Sequence, residues 1–292
     1  MYSNRLYTPL RYPGGKGQFA NFVARIVEEN DLRGGHYLEP YAGGAAVALS
    51  LLFEGYVSKI HINDFDPAIY AFWVAATTQT EELIKLITKT EINIDNWHYW
   101  RGIFLSGNQE ISILEKGFST LFLNRTNRSG ILKAGVIGGL HQNGTYKIDA
   151  RFKKDVIIKR LEKIGENSEK IIVHCEDAHD LLINCNKFLP EKSLIYLDPP
   201  YFIKGKGLYR NFYKKEDHKK ISNLLKNKVF NQNWIVSYDN VDEIIEMYSF
   251  TKSFSYELNY SAQKIYVGNE VMFFKDGLKI PFESVPKSKL IA

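Results

Sequence analysis

Leu194-Ile195-Tyr196-Leu197-Asp198-Pro199-Pro200-Tyr201 is an apolar run closed by an acid, two prolines and an aromatic residue. Four consecutive aliphatic or aromatic residues stopped by prolines predict a short strand buried on both faces, as in a parallel sheet. In open α/β sheets, ligands collect just beyond the carboxyl ends of such strands. The prolines fix φ and remove two backbone donors, so the carbonyls of Asp198 and Pro199 become available acceptors. An acidic side chain, a carbonyl and the Tyr201 ring therefore converge on one point, suited to a flat ring that carries an amino group. A rigid turn with a solvated aspartate is the plainer reading, and the rest of the chain decides between the two.

Outward from this strand, strand–helix alternation continues in both directions. Asp217–Lys226 reads as a helix, Trp234–Ser237 as a strand, and Tyr256–Tyr260 with Ile265–Phe274 as an antiparallel hairpin at the sheet edge. Lys170–His174 reads as a strand on the N-terminal side. In the first seventy-five residues, the Pro13-Gly14-Gly15-Lys16 loop leads into a helix with Phe19, Phe22, Val23, Ile26 and Val27 on one face. Glu39-Pro40-Tyr41-Ala42-Gly43-Gly44 reads as a second loop, opening an Ala-rich helix from Ala45 to about Phe53. Lys59-Ile60-His61-Ile62 is a strand ending at Asn63-Asp64, and Pro67 suits the first turn of a helix.

From Thr77 to Ser168 the alternation stops, while helical stretches persist and Gly, Asn and basic residues crowd Asn124 to Arg151. The expected organisation is an α/β catalytic domain in two pieces, 1–76 and 169–282. An inserted, mostly helical module covers 77–168, and a loose tail covers 283–292.

Charge is concentrated in the insertion. Between Asn124 and Arg160, nine basic residues face only Asp149 and Asp155, a net +7 against +5 for the whole chain. A cationic segment on a near-neutral body suits a polyanion docked on one face, and nucleic acid is the expected partner. Two cysteines without CxxC spacing, the lack of an HExxH pair and seven scattered histidines leave no basis for a disulfide framework or a zinc site, and no metal is expected. No stretch approaches transmembrane length and no apolar leader precedes Arg11. A cytoplasmic protein without membrane contact is expected.

Gly43 and Gly44 let the backbone approach a ligand closely, and Asp64 follows Gly43 by 21 residues, near the spacing at which an acid grips ribose hydroxyls. The full G-x-G-x-x-G is missing, because Ala45 and Ala46 follow. This argues for an adenosyl ligand without phosphates rather than a dinucleotide. Lys16, after two glycines at a helix start, suits an anion such as a carboxylate. An exocyclic amine on adenine is a poor nucleophile because its lone pair is delocalised. If Asp198 and the Pro199 carbonyl accept its two hydrogens, the nitrogen pyramidalises and turns its lone pair toward an electrophile, here an in-line sulfonium methyl. Tyr201 can stack on the base, worth roughly 1–3 kcal/mol, once the base has left the duplex.

Taken in order, Leu10-Arg11-Tyr12-Pro13-Gly14-Gly15-Lys16, Glu39-Pro40-Tyr41-Ala42-Gly43-Gly44, Asp64 and Asp198-Pro199-Pro200-Tyr201 resemble the Dam-like adenine-specific DNA methyltransferases over nearly the whole chain. Phe122-Leu123-Asn124-Arg125-Thr126-Asn127-Arg128-Ser129-Gly130-Ile131 resembles the family's Asn-Arg segment, and the basic insertion falls in the slot of its target-recognition module. The resemblance implies a Rossmann-like methyltransferase fold, S-adenosyl-L-methionine as methyl donor, and the amino group of a flipped adenine in double-stranded DNA as acceptor. It implies Asp198, Pro199, Pro200 and Tyr201 as catalytic residues. Tyr12, Lys16, Glu39, Gly43, Asp64, Asp177 and Asp198 would line the cofactor pocket. Arg11, Asn124, Arg125, Arg128 and Lys133 would face DNA. Ala45 departs from the family, where many members carry a second glycine, and implies a slightly altered cofactor loop. A restriction endonuclease is a further implied partner. Methylation of RNA adenine or DNA cytosine, and a non-catalytic DNA-binding relative, are the alternatives.

Overall fold

The computed structural model describes residues 7–11, 16–107, 110–202, 213–260 and 266–285. After a 3₁₀ turn at Lys16–Phe19, the first elements are α1 (Ala20–Glu29), β1 (His36–Glu39), α2 (Ala46–Phe53) and β2 (Lys59–Asn63). Five helices follow: α3 (Pro67–Thr78), α4 (Thr80–Lys89), α5 (Ile94–Leu105), α6 (Ile113–Thr126) and α7 (Lys154–Gly165). The chain then runs β3 (Ile171–His174), α8 (Ala178–Asn184), β4 (Ser193–Leu197), α9 (Lys215–Lys226), β5 (Asn233–Asp239), α10 (Asp242–Met247), β6 (Lys252–Tyr260) and β7 (Tyr266–Phe274).

The seven strands form one sheet in the order β3-β2-β1-β4-β5-β7-β6. β1 pairs in parallel with β2 and β4, β4 pairs in parallel with β5, and β7 runs antiparallel to β5 and β6. The fold is therefore a Rossmann-like α/β sheet whose strand order reverses between β1 and β4. A reversal of this kind opens a crevice at the carboxyl ends of those two strands, where ligands bind. Every residue of β4 is buried, as an interior parallel strand requires. Behind it, Leu38, Ile195, Leu197, Val236, Tyr238 and Phe273 share one apolar core with α8 and α9.

One strand departs from the sequence reading. Glu39, expected in a loop, ends β1. A four-residue strand carrying a His and a Glu is too short to display an alternating period.

The described residues divide into two compact units. One holds Lys16–Phe65 and His174 through the C-terminal hairpin; the other holds Asp66–Val173 with residues 7–11. The second holds helices α3 to α7 and most of β3. Asp66 caps α3 by accepting the Ala68 N–H at 2.9 Å, with Pro67 in the first turn. Ser112 and Glu115 form a reciprocal capping box on α6. α6 is buried from Gly117 to Thr126, and a Cβ on Gly117 would stand 2.7 Å from the Ala71 carbonyl of α3. None of the described helices is long and apolar enough to cross a membrane.

Candidate active site

Asp198 follows the last residue of β4, so a fully buried strand fixes its backbone. Its side chain is a quarter exposed. Ser237, on the neighbouring β5, donates to Asp198 Oδ1 at 2.7 Å, and Lys16 Nζ lies 3.2 Å from the same oxygen. Among the described residues nothing donates to Oδ2, and nothing donates to the Pro199 carbonyl. One oxygen is anchored, and Oδ2 with the Pro199 carbonyl is left as a pair of acceptors that no described residue fills. Burial raises the Asp198 pKa above the ordinary aspartate value; Lys16 opposes that rise, Glu270 adds to it and the Ser237 bond opposes it.

Lys16 is buried, and all three of its donor directions are used. Its ammonium reaches Asp198, donates to the Tyr201 hydroxyl at 2.7 Å and donates to Glu270 at 2.9 Å. Burial works against the charged ammonium, but Asp198 and Glu270 outweigh it and hold the Lys16 pKa well above the usual lysine value. The sequence reading offered Lys16 to a ligand anion. In the structure its anions come from the chain itself. Glu270 was not among the sequence candidates: it lies on β7, is 1% exposed and accepts hydrogen bonds from Tyr201 and, at 2.7 Å, from Tyr256.

The loops after β1, β2 and β3 are joined by one side chain. Asn63 donates to the carbonyls of Pro40 (2.8 Å) and Glu176 (3.0 Å) and accepts from the Glu176 N–H (2.9 Å). Beside it, the Ala42 N–H donates to the Asn63 carbonyl and the Gly43 N–H donates to Asp64 Oδ2 at 3.1 Å. Gly43 and Ala45 both have φ of +47°, so the loop makes two left-handed steps, the second on a residue with a Cβ. Glu39 is buried at the floor of this loop and accepts from the Tyr37 hydroxyl and the Ala48 N–H, both at 3.0 Å. Burial pushes its carboxyl up to about 8, against those two bonds. Asp177 caps α8 through the His179 N–H. With His179 and Asp180 it forms the one cluster among the described residues whose ligand atoms lie within 4.8 Å of one another. Tyr12, with Pro13-Gly14-Gly15, lies outside the described residues.

In the helical unit, Asn124 and Arg125 are buried rather than displayed. Asn124 pairs with both backbone groups of Arg11 at 2.7 Å and with the Gly130 carbonyl at 2.9 Å. The Arg125 guanidinium donates to the Pro9 carbonyl; burial, with Arg160 and Arg11 nearby, lowers its pKa to about 9. Arg11 is half-buried, and Arg128 and Lys133 are exposed.

Across its 208 aligned residues the chain is 22% identical to the Type II methyltransferase M.MjaIII of Methanocaldococcus jannaschii, covering 66% of this chain and 68% of that one. Among solved structures it overlaps a Pyrococcus horikoshii protein, PH1948, assigned as an RNA methyltransferase, at TM-score 0.39 and 11% identity over 91% of this chain and 83% of that one. It overlaps the Legionella pneumophila protein LPL1258 at TM-score 0.31 and 15% identity over 88% and 86%. The profile of one family, D12 class N6 adenine-specific DNA methyltransferase, runs from residue 12 to residue 262 and takes in the strand-end acid, the loop after β1 and the helical insertion alike. The chain belongs to the D12 class N6 adenine-specific DNA methyltransferases, enzymes that act on DNA.

Proposed function

We propose that the chain methylates the exocyclic amine of an adenine flipped out of double-stranded DNA, and that the reaction is carried by the Asp198–Tyr201 segment with S-adenosyl-L-methionine as donor. The single observation that carries this reading is the asymmetry of Asp198: Oδ1 is anchored by Ser237 and Lys16, while among the described residues no donor occupies Oδ2 or the Pro199 carbonyl, which leaves a pair of acceptors for a ligand. Two acceptors match the two hydrogens of an amine. They would draw its lone pair out of conjugation and toward the methyl group. Tyr201, its hydroxyl held by Lys16 and Glu270, would set the plane against which the base stacks. Most of the acceleration would come from positioning and fixed charge.

The pocket chemistry fits the donor. Glu39, Asp64 and Asp198 gather acceptors at the ends of neighbouring strands, and Lys16 beside them is spent on carboxylates. Hydroxyls and a cation suit this surface, and a pyrophosphate does not. When bound, S-adenosyl-L-methionine supplies an electrophilic methyl carried on a sulfonium. We assign Tyr12, Glu39, Gly43, Asp64, Asp177 and Asp198 to its pocket, and Lys16 to the Asp198 carboxylate that the pocket ends on. Residues 77–168 are the target-recognition module on this reading, with Arg11, Arg128 and Lys133 facing DNA and Asn124 and Arg125 holding the N-terminal segment in place. Likeness to a type II methyltransferase supports a role beside a restriction endonuclease of the same site specificity, and work on genomic DNA would place the protein in the cytoplasm.

Labelled S-adenosyl-L-methionine with unmethylated DNA, followed by nucleoside analysis, tests the proposal. N6-methyladenine in one short context is expected. Asp198→Ala should abolish it and leave DNA affinity within severalfold; methylcytosine as product, or turnover by the variant, overturns the assignment.

A further inference from the structure

The cluster behind Asp198 carries more negative charge than it needs for itself. Two carboxylates, Asp198 and Glu270, share one ammonium, Lys16. Glu270 accepts from three donors, Lys16, Tyr201 and Tyr256, and these use both its oxygens, an arrangement that calls for an ionised carboxylate. The other groups facing it, the Tyr196, Tyr201 and Tyr256 phenols, carry no charge at neutral pH. Among the described residues the sum is −1, in a place largely shielded from water. Buried net charge is costly unless a partner offsets it. Lys16 could satisfy Asp198 alone, so Glu270 is surplus to that pairing.

We infer that Glu270 is a specificity-determining residue whose surplus charge favours the sulfonium donor over the neutral thioether left after transfer. This rests on the reading that S-adenosyl-L-methionine is the donor. Transfer breaks the sulfur–methyl bond with its electron pair staying on sulfur, forms the nitrogen–methyl bond and releases one proton from the amine. Donor and spent product therefore differ by one methyl group and one positive charge. A methyl in line with an amine held by Asp198 brings the sulfur within several ångströms of the cluster. A unit charge at that range, partly screened, is enough for roughly tenfold or more in affinity. Once the methyl has moved, the attraction vanishes and the product is released more readily.

Calorimetric titration of the full chain with S-adenosyl-L-methionine and with S-adenosylhomocysteine tests this directly. Glu270→Gln keeps the acceptor oxygen and removes the charge. It should weaken the donor roughly tenfold and leave the thioether within about twofold. Glu270→Asp keeps the charge and should retain the donor-to-product ratio even if both affinities fall. Tyr256→Phe removes a hydrogen bond to Glu270 without touching the charge and should also retain the ratio. Equal loss of both ligands in Glu270→Gln, or an unchanged ratio, overturns this inference alone. Wild type that binds neither ligand overturns the donor reading and the inference with it. Should Glu270→Gln not fold, wild type can be titrated with sinefungin, which carries an amine where the sulfonium sits. Binding tighter than the thioether is expected, and equal or weaker binding overturns the inference.

Discussion

Ser237 Oγ and Lys16 Nζ meet on a single atom, Asp198 Oδ1, from opposite elements of the fold. The serine is wholly buried on β5 and has no freedom to leave. Ser237→Ala removes one of the two anchors that aim Oδ2, and a hydrogen bond to a charged group contributes roughly 1.5–3 kcal/mol. Turnover should fall about tenfold, with donor and DNA affinities little changed. The Ser237 bond lowers the Asp198 pKa, so its loss should move the acid limb of the rate profile to higher pH. Single-turnover rates across pH read both effects, and an unmoved acid limb would count against the anchoring role.

Glu39 gives the fold a pH dependence of unusual sign for a carboxylate. Its pKa is near 8 in the folded chain against 4.5 for the ordinary side chain. The associated stability is full below about pH 4.5 and is lost as pH rises through about 8. Glu39→Gln keeps an acceptor for Tyr37 and Ala48 and cannot ionise. It should match wild type near pH 5 and exceed it near pH 9 by on the order of 3 kcal/mol. Urea denaturation at the two pH values is the check.

Ala45 sits at φ +47° at the N-terminus of α2. An L-residue there costs about 1–2 kcal/mol, and glycine returns part of that through its freer unfolded chain. Ala45→Gly should therefore stabilise the protein by about 0.5–1 kcal/mol. The expected signature is a higher denaturation midpoint at unchanged slope.

Arg125 and Arg128, three residues apart, should behave in opposite ways. Arg125→Met strands the Pro9 carbonyl and should cost roughly 1–3 kcal/mol of stability, lessened by relief from burying a charge near Arg11 and Arg160. The salt dependence of DNA binding should stay as it is. Arg128→Ala should leave the melting temperature unchanged and reduce the slope of log K against log salt by about one. Melting curves and salt titrations of the two variants separate the roles, and a reversed pattern would put Arg125 on the DNA.

Much of the sheet was legible because burial on both faces makes every residue of a strand apolar. Leu194–Leu197 shows this, and the Pro67 helix start was legible for another reason, because one proline and one aspartate act locally. β1 was hidden because His36 and Glu39 break up four residues that have no room for a pattern. Lys16 and Glu270 are 254 residues apart, and nothing local announces that they meet. The available hint was Glu270 itself, a lone acid entering the apolar run Val271-Met272-Phe273-Phe274, where an unpaired charge is not tolerated. Arg125 was assigned to the DNA face because its segment, Phe122 to Ile131, resembles the family's Asn-Arg segment. The structure wraps α6 on all sides from Gly117 to Thr126, so a residue at that position must find its partner indoors.

Asn63 makes the loops after β1 and β3 depend on β2 through one amide group. Its bonds to Pro40 and Glu176 cannot be given up one at a time without leaving a buried polar atom unsatisfied. The amide protons of Ala42 and Glu176, which rest on its carbonyl and its side chain, should then exchange with solvent deuterium at a common rate. The two loops would unlatch as one, so their slowest opening would set a shared tempo for entry and exit at this end of the sheet.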